Sequence, residues 1–406
     1  MISFEDIAAA QKTIVPLLAS SPCVFSPALS KLCDAKIFLK LENFHLSGSF
    51  KERGAINKLE HMEPRERKMG VVAASAGNHA QAVALHATRL GIVSTIFMPR
   101  GTPAVKISRT EEYGAQIRIE GDSYDDAFVA ASEFAKKTGA TYVHAYNDPL
   151  IVAGQGTLGL ELASQLPTLD LVAVAVGGGG LLAGISLALS HLLPAVECVG
   201  VEPESMPSLK MALQAGAPTT VPKAQTVADG IRVRRVGDIP FEICQKFIKR
   251  SVAVSEESIV HAILYLLEKQ KLVAEGAGAA PVAALMGGAL GRINGKTVCM
   301  VIGGGNIDPQ LLCRATERGM VESGRMASMR LFVHDHPGEL AHLLGIVSAL
   351  GANVVEVHHE RAFAEVNLAD VLVDLVLQTR GPSHVTEIVH MLTSKGYQLT
   401  LSTPHP

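Results

Sequence analysis

The sequence predicts an α/β protein built on parallel, doubly wound sheets, followed by a small βαββαβ ferredoxin-like module. Three observations carry that prediction. Short apolar β-runs alternate with amphipathic helical runs through the first 320 residues, the pattern of parallel strands covered on both faces. Several of those runs end in small residues immediately before a helix, as βα units do. Near Met320 the alternation gives way to strand, helix, strand, strand, helix, strand over about 80 residues.

In chain order, KIFLKLE (36–42) reads as a strand, and the helical spacing after it opens at Lys51 in LSGSFKERGAINK (46–58). GVVAAS (70–75) is a strand, followed by the helix NHAQAVALHATRLG, which Gly91 ends. IVSTIFMP (92–99) and QIRIEG (116–121) are strands on either side of the helix AVKISRTEEYGA, and a helix occupies 123–138. LVAVAV (171–176) is a strand before the helix LLAGISLALSHLL, and ECVGVEP (197–203) and TVCMVIGG (297–304) are further strands. VESGRMASM (321–329) reads as a linker. The module beyond it runs MRLFVHDH, PGELAHLLGIVSALG, NVVEVHHERAF, VLVDLVLQTRG, PSHVTEIVHMLTSKG and YQLTLS.

Bulk properties narrow the function classes. The length of 406 residues suggests two or three domains, and 48% hydrophobic with 18% charged residues is a globular composition. A net charge of −3 and the scarcity of Trp and Tyr argue against nucleic acid and anionic membrane as partners. The start MISFEDIAAAQK carries acids where a signal peptide needs a basic flank. The uncharged stretch 171–196 is long enough to suggest a membrane span, but its four glycines fit a strand, turn and helix instead. Six cysteines without a CxxC pair read as reduced thiols, which places the protein in the cytoplasm.

Chemistry concentrates at the strand ends, where ligands of doubly wound sheets bind. In SAGNHA (75–80) the amides of Gly77, Asn78 and His79 stand at a helix start and suit a carboxylate. Taken alone, this motif is better explained as an ordinary turn capped by Ser75 or Asn78. In VGGGGLLAG (176–184) consecutive glycines let amides close around a phosphate, although a tight turn is the plain alternative. No Gly-Lys-Ser/Thr follows, so it is not a P-loop. VIGGGNID (301–308) repeats the glycine-rich strand end, and VAEGAGAA (273–280) opens a helix with one acid, Glu275. Lys51, after Ser-Gly-Ser-Phe, stands at the mouth of a helix, where a surface lysine in i,i+4 pairs is the competing reading. A lysine, a phosphate loop and a carboxylate loop together are what pyridoxal phosphate acting on an amino acid requires.

LENFHLSGSFKERGA, SAGNHAQAVA, GGGGLLAG and GGGNID, in that order, resemble the fold-type II pyridoxal-phosphate enzymes, most closely the threonine dehydratases (threonine ammonia-lyases). The resemblance spans 16–318. HDHPGELAHLLGIVSALGANVVEV is similar to an ACT domain, a small amino-acid-sensing module. It implies a catalytic domain over 1–320, with a smaller subdomain at roughly 50–150 inserted within the larger, and an ACT regulatory domain over 328–406.

The same resemblance implies roles. Lys51 would hold the cofactor and then act as the α-proton base, with Phe50 packed beside the cofactor and Asn78 bonded to its ring hydroxyl. Ser75, Ala76, Gly77, Asn78 and His79 would take the substrate carboxylate. Gly177, Gly178, Gly179, Gly180 and Leu181 would cradle the phosphate, and Glu275 would stand near the ring edge. Gly303 occupies the place where dehydratases commonly carry a serine for the pyridine nitrogen. Glu202 matches a glutamate through which some relatives bind a divalent cation, but the expected aspartate is missing from EPESMPSLKM. In the tail, His336, Pro337 and Gly338 would receive an amino-acid effector between two such units, which implies a homo-oligomer, a dimer or tetramer.

The implied reaction is removal of water and then ammonia from L-threonine, and from L-serine. Serine racemases place a serine where this chain has Ala76, and alanine carries no proton to return to the α-carbon. A 3-hydroxyaspartate dehydratase would need a cation for the second carboxylate, for which Arg232, Arg234 and Arg235 are available. A catalytically silent amino-acid sensor is the alternative from another class.

Overall fold

Parallel strands order the first 309 residues. The larger sheet contains β1 (Cys23–Phe25), β2 (Lys36–Leu41), β7 (Leu171–Ala175), β8 (Glu197–Pro203), β9 (Arg250–Val254) and β10 (Thr297–Ile302). Its order is β1-β2-β10-β7-β8-β9, and only β1 runs antiparallel to its neighbour. The second sheet contains β3 (Val71–Ala74), β4 (Ser94–Met98), β5 (Gln116–Ile119) and β6 (Thr141–Tyr142), all parallel, in the order β5-β4-β3-β6. The structure, a computed structural model, describes residues 2–361 and 369–402.

The apolar runs are strands because both of their faces are covered. Every residue of β3, β4 and β10 is buried, so those segments show no polar alternation. Helices Asn78–Arg89 and Gly180–Leu192 leave the carboxyl ends of β3 and β7, which puts the two small-residue loops at the ends of their sheets. The register Ile302↔Leu41 brings the ends of β2 and β10 side by side. The Ser-Gly-Ser-Phe loop before Lys51 therefore meets the GGGN loop. Phe50 N donates to Gly303 O (3.0 Å), and Gly305 N to Gly48 O (3.0 Å).

The chain divides into two compact units, Met1–Pro309 and Gln310–Pro406. The second holds an antiparallel sheet of β11 (Met326–His334), β12 (Asn353–Glu360), β13 (Asp370–Gln378) and β14 (Gln398–Ser402), in the order β12-β13-β11-β14. Helices Glu339–Ala349 and Pro382–Ser394 complete the βαββαβ order. Leu343, Val347, Ile388 and Leu392 are buried in one cluster with Met329, Leu331, Val373 and Leu375. The stretch read as a linker is shorter than 321–329. Helix Pro309–Glu322 takes its beginning, and Met326–Met329 already pair with Gln378–Leu375, so only 323–325 connect. The end of NVVEVHHERAF, from 362 onward, lies outside the described residues.

Among the described residues no helix is long and apolar enough to cross a membrane. The stretch 171–196 consists of β7, the glycine turn and helix Gly180–Leu192.

Candidate active site

Lys51 is the first residue of helix Lys51–Glu60, and its amine donates to the carbonyl of Ala145 at 2.8 Å. Burial pulls its pKa down from 10.5 to about 8, against the opposing pull of the Glu275 carboxylate. The lysine therefore has an accessible neutral form, as a base or nucleophile needs. Phe50 precedes it, with the amine 5.1 Å from the ring centroid.

The helix that carries Lys51 is held by buried charge. Arg53 donates through Nε and Nη2 to Glu42 (2.6 and 2.8 Å) and through Nη1 to Glu161 (2.7 Å), and Lys40 closes the group on Glu161 at 2.5 Å. Burial works against the Glu42 charge, yet Arg53 holds its carboxyl well below the usual range. One residue along, Glu52 reaches back to accept Ser47 N and pairs with His86 Nε2 at 2.9 Å. Glu52 thereby fixes the loop before the lysine and ties it to helix Asn78–Arg89.

That helix begins at Asn78, with Gly77 as its N-cap, so the amides of its first turn face outward from the end of β3. Ser75 Oγ accepts Gly77 N at 3.2 Å. Ala76 lies between them. Both ends of the Asn78 amide are engaged. Nδ2 donates to Glu275 Oε1 at 2.6 Å, and Oδ1 accepts from Asn306 Nδ2 at 2.8 Å. Burial, then the nearby Asp229 charge, raise Glu275 to about 7, so this buried carboxyl is near its protonation midpoint at neutral pH. His79 Nε2 lies 2.8 Å from Val143 O, which makes Nε2 the protonated nitrogen. Burial and the Lys51 charge lower the His79 pKa to about 3, so this ring is neutral and structural rather than a base.

The glycine cradle is closed by an aromatic ring. A Cβ at Gly178 would come within 2.2 Å of the Tyr146 ring, so only glycine fits there. All four glycines are buried, and among the described residues the amides of Gly178 and Gly179 reach no backbone carbonyl. Buried orphan donors at a helix start are what a phosphate group satisfies. Leu181, in the first turn, is buried. Gly48 has a comparable restriction: its φ of +76° and the Asn306 side chain 2.6 Å from a Cβ exclude any larger residue.

Gly303 leaves room. A Cβ there would lie 3.4 Å from Phe50 Cδ1, an ordinary contact. Glu202 is not arranged for a cation, since its oxygens accept Leu209 N (2.6 Å), Lys210 N (2.9 Å) and Ser251 Oγ (2.7 Å). Among the described residues no three His, Cys, Asp or Glu side chains cluster as metal ligands. Arg232, Arg234 and Arg235 are exposed and engaged with Gln225, the Val221 carbonyl and Asp238. In the second unit, His336, Pro337 and Gly338 form the turn between β11 and helix Glu339–Ala349, with Gly338 at φ +93°.

Ser75, Gly77, Asn78, the cradle glycines and Gly303 thus follow strand ends of one unit, with Glu275 joined to them through Asn78 and Lys51 next to Phe50, which donates to Gly303 O. Residues 14–304 match the family described as pyridoxal-phosphate dependent enzyme. This chain belongs to that family. Among relatives of these pyridoxal-phosphate dependent enzymes, an L-threonine ammonia-lyase of Thermotoga maritima is 47% identical over 99% of this chain and 100% of its own. A catabolic L-threonine dehydratase of Escherichia coli is 39% identical over 76% of this chain and 94% of its own. Among solved structures, threonine deaminase isoform 2 of Solanum lycopersicum superposes with a TM-score of 0.75 at 32% identity, covering 77% of this chain and 87% of that one. Maize serine racemase gives 0.74 at 30%, covering 79% and 98%.

Sequence reasoning overlooked several residues of this candidate site. Asn306 was in view inside GGGNID, but nothing in the motif announced that its amide would orient Asn78. His144, Ala145 and Tyr146 fall in a stretch without a glycine run or a clear period, and only the folded chain shows that they adjoin Lys51 and Gly178.

Proposed function

We propose that this protein is a threonine ammonia-lyase, converting L-threonine to 2-oxobutanoate and ammonia, and L-serine to pyruvate and ammonia. The observation that carries the reading is the desolvated Lys51 amine, held by Ala145 O between Val143, whose carbonyl meets His79 of the carboxylate loop, and Tyr146, whose ring covers Gly178 of the glycine cradle. Bound pyridoxal phosphate supplies a conjugated ring that accepts the electron pair left when the α-proton departs. Lys51 would hold it, the cradle amides would meet its phosphate, and Asn78 with Glu275 would stand at the ring edge.

The chain's own groups then account for the elimination. The outward amides at the start of helix Asn78–Arg89 and Ser75 Oγ hold the substrate carboxylate, which fixes the α-carbon. Neutral Lys51 removes the α-proton, and its low pKa keeps a useful fraction of the amine unprotonated near neutrality. The β-hydroxyl leaves as water, taking up one proton to balance the α-proton given to Lys51, and the enamine left behind tautomerises to an imine that a second water hydrolyses to the 2-oxo acid and ammonia. Ala76 offers no proton to the opposite face of the α-carbon, which favours elimination over racemisation.

The test is the purified protein with pyridoxal phosphate and L-threonine, L-serine and 3-hydroxyaspartate, scoring oxo-acid release and product chirality. Oxo acid from threonine is expected. Product from 3-hydroxyaspartate alone, racemisation as fast as elimination, or no product at all would each overturn the reading. For the second unit, we infer an ACT-type regulatory role with an amino acid received at the His336, Pro337, Gly338 turn of an oligomer. A panel of amino acids tested for effects on threonine saturation, before and after substitution of Gly338, checks it.

A further inference from the structure

Residues 143–147 touch three separate parts of the site in immediate succession. Val143 O receives the Nε2 proton of His79, in the carboxylate loop. Ala145 O receives the Lys51 amine. The Tyr146 ring covers Gly178, and its Cβ stands 3.2 Å from where a Cβ of Gly180 would lie. Asn147 Oδ1 accepts Ile239 N at 3.0 Å, and adjacent Gly237 donates to Gly178 O at 3.1 Å.

No regular structure holds this segment in shape. β6 ends at Tyr142, and the next helix begins at Pro149. The shape comes from His144, whose Nδ1 accepts both Tyr146 N (3.2 Å) and Asn147 N (2.9 Å). These two bonds wind the chain into a turn whose corner is Ala145. The imidazole is packed edge-on against Tyr146 (centroids 4.7 Å, 87°), with Tyr142 and Phe128 also near. Burial and the Lys51 charge lower its pKa to about 4, which keeps Nδ1 an acceptor.

We propose that His144 is a positioning residue for the lyase reaction: by closing the 143–147 turn it aims the Ala145 carbonyl at the Lys51 amine and seats Tyr146 on the glycine cradle. A neutral amine that gives one N–H to Ala145 has its lone pair turned elsewhere, so the carbonyl orients the base as well as holding it. The proposal rests on the lyase reading for its kinetic part and stands without it for cofactor binding.

The experiment compares His144→Asn with His144→Ala. Asparagine places an oxygen acceptor the same number of bonds from the backbone as Nδ1, in the geometry by which Asn and Asp accept from amides two residues on. Alanine removes the acceptor. Each purified apoprotein is titrated with pyridoxal phosphate by absorbance, borohydride fixation at Lys51 is mapped by mass spectrometry, and kcat and KM for L-threonine are measured. The alanine variant is expected to bind the cofactor about tenfold more weakly and to lose about 10–100-fold in kcat with KM changed much less. The asparagine variant is expected to recover both to within about threefold. Alanine and asparagine variants that behave alike, or an alanine variant within about twofold of the parent in cofactor affinity, would overturn the proposal. If the alanine variant does not fold by circular dichroism, His144→Gln, whose oxygen lies one bond further out, replaces it under the same comparison. If no variant and not even the parent turns over threonine, the lyase reading fails while the cofactor titration still decides the role of His144.

Discussion

Arg53 and Glu42 form a fully buried two-bond pair, Nε and Nη2 of the one donating to both oxygens of the other at 2.6 and 2.8 Å. The arginine lies two residues beyond Lys51, so the pair anchors the first turn of the lysine's helix. Glu42→Gln leaves the guanidinium partly unmatched in a dry site and should cost about 3–5 kcal/mol of unfolding free energy. Urea unfolding of the apoprotein measures it. Because Glu42 is held well below its usual pKa, its contribution is present above about pH 4.5 and fades as pH falls through the folded value. The wild-type advantage over the variant should therefore shrink in acid.

The Lys51 pKa makes a prediction about cofactor capture. Attack on an aldehyde needs the free amine, so the capture rate of the apoprotein should climb with pH through a midpoint at about 8 and then level off. Stopped-flow absorbance follows it, and a midpoint near the ordinary lysine value of 10.5 would contradict the desolvated setting. A linked effect concerns stability. Between about 8 and 10.5 the unfolded chain holds a proton at this lysine that the folded chain lacks, so stability gained from this group should rise with pH across that window. Lys51→Met should remove that rise.

Gly178→Ala should weaken pyridoxal phosphate binding by tenfold or more, because its Cβ would strike the Tyr146 ring at 2.2 Å and push either the cradle or the turn out of place. Adding Tyr146→Ala opens the space. In equilibrium titrations the double variant should bind better than the sum of the two single losses allows, and strict additivity would show that the ring and the glycine do not meet.

Gly303→Ser fits without strain, since the new Cβ lies 3.4 Å from Phe50 Cδ1. A hydroxyl there should supply a partner for the pyridine nitrogen and tighten cofactor binding by about 2–10-fold, the scale of one neutral hydrogen bond. Unchanged affinity in the same titration would mean that the nitrogen already has a partner.

The strands of the two parallel sheets were readable where burial on both faces produced uninterrupted apolar runs, as in VVAA, STIFM and TVCMVI. Lys51, Asn78 and the glycines were readable because strand-end loops that bind anions need small residues and a helix behind them. Helix Pro149–Gln165 was harder. It is buried for most of its length and carries three glycines, so it shows neither an amphipathic stripe nor a strong propensity. β6, only two residues long, carries no period at all. The Arg53, Glu42, Glu161 and Lys40 group joins positions up to 121 residues apart, and no local pattern announces such a meeting. Glu275 illustrates the same limit for electrostatics: its letter says carboxylate, while its surroundings raise it to about 7.

The turn at 143–147 leaves no slack. Neighbouring residues serve different partners, so inserting one amino acid between Val143 and Tyr146 would put at least one of them out of step with its counterpart. Length variation, loop grafts and tag insertions should therefore be rejected within that stretch.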